Sequence, residues 1–244
     1  MKLDIWPFNR KKISRDISPV LQNGQTQDLY FAQAIKGLRA RFEHGTEKRN
    51  WHIIGVTSAV AGEGKSLVSA NLAASLAATG GKRVLLLDFD LRNSNLAIGL
   101  GISEKPGLSE FLGGTASFNN IVNNSLVKGL HIITSGSRMS EPADLLAGNA
   151  FKELIGKVTD LYDYVIIDTP PVIPVSDTLN LRDIVDGFII VIGANFTPYN
   201  LTKQAIEDLG EKRILGVIIN GVDLEKQSYY KRYYGTYYHP LPKK

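Results

Sequence analysis

The stretch Ile53-Ile-Gly-Val-Thr-Ser-Ala-Val-Ala-Gly-Glu-Gly-Lys-Ser-Leu-Val68 decides how this chain folds. It begins with an apolar run of strand length, passes through a glycine-rich turn and enters a helical pattern. A turn of this kind lets main-chain N–H groups approach phosphate oxygens, while the lysine reaches the outer phosphates and the serine hydroxyl binds Mg²⁺. Ala59 stands where the pattern usually has its first glycine, but the Gly-x-Gly-Lys-Ser half is intact. The stretch therefore predicts a phosphate-binding loop between a strand and a helix, rather than a glycine-rich turn with a solvated lysine.

A nucleotide with Mg²⁺ is the expected ligand of this loop, and the contacts should extend into the first helical turn. The predicted nucleotide-binding residues are Ala61, Gly62, Glu63, Gly64, Lys65, Ser66 and Leu67.

The rest of the body alternates between apolar runs and helical patterns. Each run is nearly continuous in Val, Ile and Leu, which is typical of parallel strands buried on both faces. The fold class is therefore predicted to be α/β, a doubly wound and mainly parallel sheet with helices on both faces. Strands are predicted at Ile53–Thr57, Arg83–Asp88, Leu130–Ser135, Tyr164–Asp168, Gly187–Ile192 and Ile214–Asn220. Helices are predicted at Lys65–Thr79, Asn149–Leu161 and Leu201–Leu209, with an extra N-terminal helix at about Gln27–Phe42 outside the basic unit.

Carboxylates follow two of these strands. Asp88 and Asp90 end Leu85-Leu-Leu-Asp-Phe-Asp-Leu-Arg92, and Asp168 ends the strand before Thr169. The carboxyl ends of parallel strands face the crevice where ligands bind in this architecture. We expect Asp168 to bind Mg²⁺ through water, and the Asp88/Asp90 pair to serve the metal and an incoming hydroxyl. Arg92 is expected to stabilise charge or to pair with these acids.

Six tyrosines close the chain, and their spacing also fits a helical aromatic stripe. Gly235 and Pro240 argue against a stable buried helix and favour an exposed tail. A cluster of phenols in a chain with a phosphate-binding loop suggests that the tail accepts phosphoryl groups. The predicted autophosphorylation sites are Tyr229, Tyr230, Tyr233, Tyr234, Tyr237 and Tyr238. The domain prediction is an N-terminal arm at residues 1–26, one α/β domain at 27–224 and a tyrosine-rich tail at 225–244.

Composition narrows the function classes. The chain of 244 residues has no cysteine, so disulfides and cysteine-ligated metals are excluded. Its apolar runs are shorter than the ~20 residues of a membrane helix, and the start lacks a secretory signal, so a cytoplasmic location is predicted. The net charge of +4 is concentrated near the two ends. These basic ends are either solvated or weakly attracted to an anionic membrane face. No basic stripe lies on a predicted helix, so nucleic acid is not an expected partner.

Together these motifs resemble the bacterial protein-tyrosine kinases (BY-kinases) of capsule and exopolysaccharide systems, over roughly residues 27–238. The Leu85–Arg92 element is similar to the family's three apolar residues followed by Asp-x-Asp-x-Arg, and Val165–Pro170 matches its second aspartate motif. The resemblance implies that these acids, with Lys65 and Ser66, bind and turn over Mg-ATP. The predicted catalytic residues are Lys65, Asp88, Asp90 and Arg92. Asp88 is favoured as the base, and Ser66, Asp90 and Asp168 are placed on the metal side. It also places Asn220 near the adenine.

The resemblance further implies partners. A membrane-bound polysaccharide chain-length regulator would activate the kinase and recruit it to the inner face of the membrane, and a cognate tyrosine phosphatase would reverse the reaction. Self-association in a ring is implied, so that tails are phosphorylated by neighbouring subunits. The family's Glu-x-x-Arg-x-x-Arg contact pattern is degenerate here, because Gln33, Lys36 and Arg39 occupy its places.

Two alternatives stay open. A partition or division ATPase shares the broad fold, but it carries a second lysine in the phosphate loop where this chain has Val60. A degenerate nucleotide-binding scaffold of the polysaccharide system is the other alternative.

Overall fold

The structure is a computed structural model that describes residues 29–139, 141–142, 146, 148–173 and 177–222. The predicted N-terminal arm and the tyrosine-rich tail lie outside these residues. In the described part the helices are α1 Leu29–Glu47, α2 Lys65–Ala78, α3 Leu96–Leu100, α4 Leu108–Leu112, α5 Phe118–Ile121, α6 Asn149–Leu161, α7 Asp177–Asn180 and α8 Tyr199–Leu209. The strands are β1 Ile53–Ser58, β2 Val84–Asp88, β3 Val122–Asn124, β4 Leu130–Ile133, β5 Tyr164–Asp168, β6 Gly187–Gly193 and β7 Ile214–Asn220, the last preceded by a 3₁₀ turn at Glu211–Arg213.

The seven strands form one sheet in the order β3-β4-β2-β5-β1-β6-β7. Six are parallel, and β3 pairs antiparallel with β4 at one edge. Every residue of β1, β2 and β5 is buried, which explains why apolar residues predominate in them.

Helices cover both faces of the sheet. On one face α1 and α2 pack over a core that includes Ile54, Leu86 and Ile166. On the other face α4, α6 and α8 pack over a core that includes Leu85, Leu87 and Ile167. Neighbouring residues of one strand thus serve opposite cores, as strand geometry requires. The predicted doubly wound α/β class is confirmed.

The extra N-terminal helix is confirmed, and α2 explains its position. Eleven of the 14 residues of α2 are buried, so this alanine-rich helix has no face suited to water. One side of α2 lies on the sheet and the other is covered by α1, which also contacts β7. The prediction ended this helix at Phe42, five residues before its end at Glu47.

Candidate nucleotide-binding and phosphotransfer site

The loop between β1 and α2 has the conformation of a phosphate cradle. Gly62 and Gly64 have φ of +83° and +90°, a region that side chains disfavour. A Cβ on Gly64 would lie 2.0 Å from Nδ2 of Asn220, so glycine alone fits there. No side chain caps the start of α2. The N–H groups of its first turn therefore lack a side-chain acceptor and can bind an anion.

Lys65 and Ser66, the first residues of α2, lie beside Asp168 at the end of β5. Asp168 is buried, and the Ser69 hydroxyl donates a hydrogen bond of 3.0 Å to its Oδ1. Burial raises the pKa of Asp168 to about 6, although Lys65 and the hydroxyls of Ser66 and Ser69 favour the carboxylate. A cation at this point would complete the neutralisation of the carboxylate.

Asp88 is the register partner of Asp168 in the neighbouring strand. It is fully buried, and its two oxygens accept hydrogen bonds from the Ser94 hydroxyl and, at 3.2 Å, from the main-chain N–H of Asp90. Burial first, and then the charge of Asp168, raises the pKa of Asp88 to about 8. The structure thus brings the two predicted aspartate motifs together.

Asp90 and Arg92 lie in the turn that follows β2. The Asp90 carboxylate is partly exposed and accepts a 2.9 Å hydrogen bond from the N–H of Asn93. Arg92 makes a bidentate ion pair with Asp177, with Nε–Oδ2 at 2.6 Å and Nη2–Oδ1 at 3.3 Å. Asp177 is buried at the start of α7 and was not among the predicted site residues. Its ion pair joins the turn after β2 to the segment after β5.

The side chains of Glu63 and Asn220 hold the phosphate loop to the ends of neighbouring strands. The Glu63 carboxylate is buried and accepts hydrogen bonds from the N–H groups of Val60 and Gly193, at 2.8 and 3.0 Å, and from the Thr197 hydroxyl. Asn220 Nδ2 donates to the Glu63 carbonyl at 2.8 Å. The carboxylate and the carbonyl of Glu63 are thus engaged within the protein, and its main-chain N–H is the group that can bind a phosphate.

These residues fit Mg-ATP. The uncapped start of α2 and the two left-handed glycines suit phosphate oxygens, and Lys65 supplies positive charge. Ser66, Asp90 and Asp168 offer oxygen ligands of the kind Mg²⁺ takes together with phosphates and waters. Among the described residues no group of three or more His, Cys, Asp or Glu is arranged to hold a metal by itself.

Four side chains with roles at this edge were missed by the sequence analysis. They are Ser69, Ser94, Asp177 and Thr197. A local signal existed for Ser69, which lies four residues after Lys65 and hence on the same helix face. The predicted phosphate-accepting tyrosines lie outside the described residues.

The degenerate assembly motif is on α1. Gln33 and Lys36 are exposed, whereas Arg39 is half-buried and held within the chain. Arg39 Nη1 donates to the Ser75 carbonyl at 3.3 Å, and its Nε lies 3.8 Å from the Glu43 carboxylate. Self-association through this helix stays a prediction. No helix in the described ranges is both long and apolar enough to cross a membrane.

A mainly parallel, doubly wound sheet with a phosphate loop after β1 and carboxylates at the ends of β2 and β5 defines a P-loop NTPase fold. A model of the AAA_31 family, described as an AAA domain, matches residues 51–209. The chain is also 36% identical over 207 residues to the tyrosine-protein kinase YwqD of Bacillus subtilis (strain 168), covering 84% of this chain and 86% of that protein. By this similarity the chain belongs to the bacterial protein-tyrosine kinase family.

Solved structures of related proteins have a similar fold. The kinase domain of the Escherichia coli tyrosine kinase ETK superposes with a TM-score of 0.78 at 25% identity, covering 90% of this chain and 91% of that one. The septum site-determining protein MinD from Pyrococcus horikoshii OT3, complexed with Mg-ADP, gives a TM-score of 0.60 at 25% identity, covering 73% and 72%. The tyrosine kinase domain is therefore similar over more of this chain than the division protein is.

Proposed function

We propose that this protein is an ATP-dependent tyrosine autokinase that phosphorylates its C-terminal tyrosine cluster in trans. The observation that carries the proposal is the buried pair Asp88 and Asp168 beside Lys65 and Ser66, at the sheet edge that holds the phosphate loop. The six tyrosines between Tyr229 and Tyr238 supply the acceptors. The tyrosine kinases to which the chain is similar support this reaction class.

Mg-ATP, when bound, supplies a γ-phosphoryl group activated for transfer to a hydroxyl. The main-chain N–H groups of Gly62 to Lys65 and the Lys65 ammonium hold the phosphates. Ser66, Asp90 and Asp168 hold the metal side. These groups act chiefly by positioning and by stabilising charge, which dominate catalysis of phosphoryl transfer.

Asp88 is the proposed base, accepting the proton of the attacking phenol on a carboxylate oxygen. In the metal-free site, burial and the charge of Asp168 raise the pKa of Asp88 to about 8, so this carboxyl is largely protonated at neutral pH. Metal binding beside Asp168 would lower that pKa and leave Asp88 charged. Replacing Asp88 with Asn should then reduce kcat with little change in Mg²⁺ affinity, whereas Asp90→Asn should raise the Mg²⁺ concentration needed. The reverse pattern would exchange the two roles.

We infer that the protein acts in capsule or exopolysaccharide synthesis, at the cytoplasmic face of the membrane; the names of its relatives support the first part of this proposal. A membrane-bound chain-length regulator would activate it, and a tyrosine phosphatase would reset it. Each phosphate adds about −1.5 to −2 charge to the basic tail. We expect this charge to loosen contacts between subunits, so that phosphorylation cycles the assembly. Identical sedimentation of fully phosphorylated and dephosphorylated protein would exclude that cycle.

A partition or division ATPase is the second candidate, because the fold is also similar to that of MinD. Val60 lacks the amine of that class, and the tyrosine cluster has no role in an ATPase switch.

The decisive test compares Lys65→Met with Lys152→Met, a control on the exposed face of α6. Each purified protein is treated with phosphatase, incubated with Mg-ATP and analysed by intact mass and fragmentation. The wild type and the control should gain phosphates on Tyr229–Tyr238, and Lys65→Met should gain none. Tail phosphorylation that persists in purified Lys65→Met would refute the assignment. An unmodified wild-type tail with continued ATP consumption would favour the switch ATPase.

A further inference from the structure

Glu63 is a buried acid inside the phosphate loop. Only 1% of its surface is exposed, although it lies between two glycines of a loop that a ligand must reach. Burying a carboxylate is costly unless donors replace its water. None of the ion pairs among the described residues involves Glu63. Its compensation must therefore come from hydrogen bonds.

Two of the donors belong to a distant segment of the chain. Gly193, the last residue of β6, donates its N–H to Oε1 at 3.0 Å, and the Thr197 hydroxyl binds the same oxygen. The third donor is the N–H of Val60, at 2.8 Å from Oε2. The carboxylate thus links two parts of the phosphate loop through the N–H of Val60, and it also links the loop to the turn after β6.

The main chain of the same residue is fixed from another strand. Asn220, which ends β7, donates Nδ2 to the Glu63 carbonyl at 2.8 Å. Glu63 is therefore held at both its side chain and its carbonyl by the carboxyl ends of β6 and β7. The main-chain N–H groups of the loop are left to bind a ligand, and these are the donors that phosphate oxygens require.

We propose that Glu63 is a positioning residue for nucleotide binding, which holds the phosphate loop against the turn Gly193–Thr197 so that the loop N–H groups are preorganised for phosphate. The inference rests on the nucleotide binding proposed above. Three acceptor positions on a carboxylate explain why an acid is present. Glutamine has one acceptor oxygen, so its amide nitrogen would face an N–H donor.

The turn that Glu63 contacts and the start of α8 that follows it carry two exposed aromatic side chains. Phe196 and Tyr199 are 50% and 81% exposed, and a Cβ on Gly62 would lie 3.9 Å from Cζ of Phe196. The Phe196 ring thus borders the phosphate loop. Loss of the Glu63 contacts should loosen both the loop and this border.

The test measures Mg-ADP binding by titration calorimetry for the wild type, Glu63→Gln, Thr197→Val and the double variant. Glu207→Gln, the same substitution on the exposed surface of α8, is the control. We expect the Kd to rise about tenfold or more in each single variant, because a charge-assisted hydrogen bond is weakened or lost. The double variant should bind less weakly than the product of the two effects predicts, because both act on one contact. The control should match the wild type.

A positioning role and a purely structural role differ in kinetics. Positioning predicts that Glu63→Gln raises the KM for ATP more than it lowers kcat, at a temperature where thermal unfolding shows every variant folded. Unchanged Mg-ADP binding in folded Glu63→Gln, with normal binding by the wild type, would overturn this inference alone. Absence of binding by the wild type would overturn the nucleotide-binding function and this inference with it. If Glu63→Gln does not fold, Thr197→Val decides by the same criterion.

Discussion

Asp88 and Asp168 occupy paired register positions at the ends of β2 and β5, and both carboxylates are buried. Burial is the largest cause of the raised pKa of each acid; the charge of Asp168 raises the pKa of Asp88 further, and the charge of Asp90 raises that of Asp168. Without a cation both acids keep a proton to higher pH than an ordinary aspartate does. With Mg²⁺ nearby both acids can be charged. The edge of the sheet is therefore suited to the metal that phosphoryl transfer requires.

This pair predicts a stability that falls with rising pH in the nucleotide-free, metal-free protein. The folded-state pKa of Asp88 is raised from 3.8 to about 8, and that of Asp168 to about 6. Between about pH 4 and pH 8 the folded protein thus keeps protons that the unfolded chain releases. The free energy of unfolding should decline across this window and level off above it.

Asp88→Asn removes the part of this pH-dependent loss of stability that Asp88 contributes. The variant should therefore be more stable than the wild type at pH 8. We expect a gain on the order of 3 kcal/mol, and about 2–4 °C in Tm for each kcal/mol. The gain should shrink at pH 5. Thermal unfolding at both pH values checks this, with Asp160→Asn on exposed α6 as the control. A gain that is equal at both pH values would contradict the charge argument.

Two serines provide a matched pair of variants. Ser94 donates to Asp88 and accepts a 3.1 Å hydrogen bond from the N–H of Leu96, while Ser69 donates to Asp168. Ser94→Ala should lower kcat about tenfold because the proposed base loses its orientation, with the Mg²⁺ requirement unchanged. Ser69→Ala should raise the Mg²⁺ concentration that gives half-maximal activity. Equal effects on both quantities in both variants would mean that the serines serve the fold alone.

Gly64→Ala tests the phosphate cradle. The alanine would have to adopt a left-handed backbone conformation, and its Cβ would lie 2.0 Å from the side-chain amide nitrogen of Asn220. Gly81 has φ of +86° but no atom within 4 Å of its Cβ position, so Gly81→Ala measures the backbone strain alone. We expect about 1–2 kcal/mol of destabilisation for Gly81→Ala and more for Gly64→Ala, with Mg-ADP binding lost only in the latter. Denaturant unfolding and calorimetry would show whether the two differ.

The Arg92–Asp177 ion pair should matter for rate because it ties the segment after Asp168 to the turn that carries Asp90. Lysine cannot reproduce the bidentate contact, so Arg92→Lys and Asp177→Asn should each slow tail phosphorylation about tenfold, and the double variant little further. Arg213→Lys is the control, because its partner Asp183 is 95% exposed. Additive losses in the double variant would show that the two residues act separately.

The fold was largely predictable because its strands are buried on both faces and so have continuous apolar sequences. Tyr164–Asp168 and Ile214–Asn220 were predicted with the bounds observed. β3 was missed because Val122–Asn124 is only three residues long, partly exposed and antiparallel at an edge. The helices of four or five residues escaped prediction because they are too short to show a helical period.

The site was predictable where its residues are neighbours in sequence. The phosphate loop and both aspartate motifs end strands, and parallel strands bring their carboxyl ends to one edge. The contacts of Glu63 and Arg92 depend on Gly193 and Asp177, which are 130 and 85 positions away. Such pairs are set by tertiary packing, so a local pattern cannot contain them. The roles assigned to the site residues remain predictions.

The position at which β7 ends bears on how the proposed acceptor tyrosines would reach the nucleotide site. This strand ends at Asn220, whose side chain contacts the phosphate loop, and Tyr229 follows Val222 by seven positions. Seven residues span at most about 25 Å. A flexible link of this length would give the chain's own phenols a local concentration in the millimolar range. A neighbouring subunit would then have no advantage in proximity, and the proposed transfer between subunits would have to be selected by the direction from which a phenol enters.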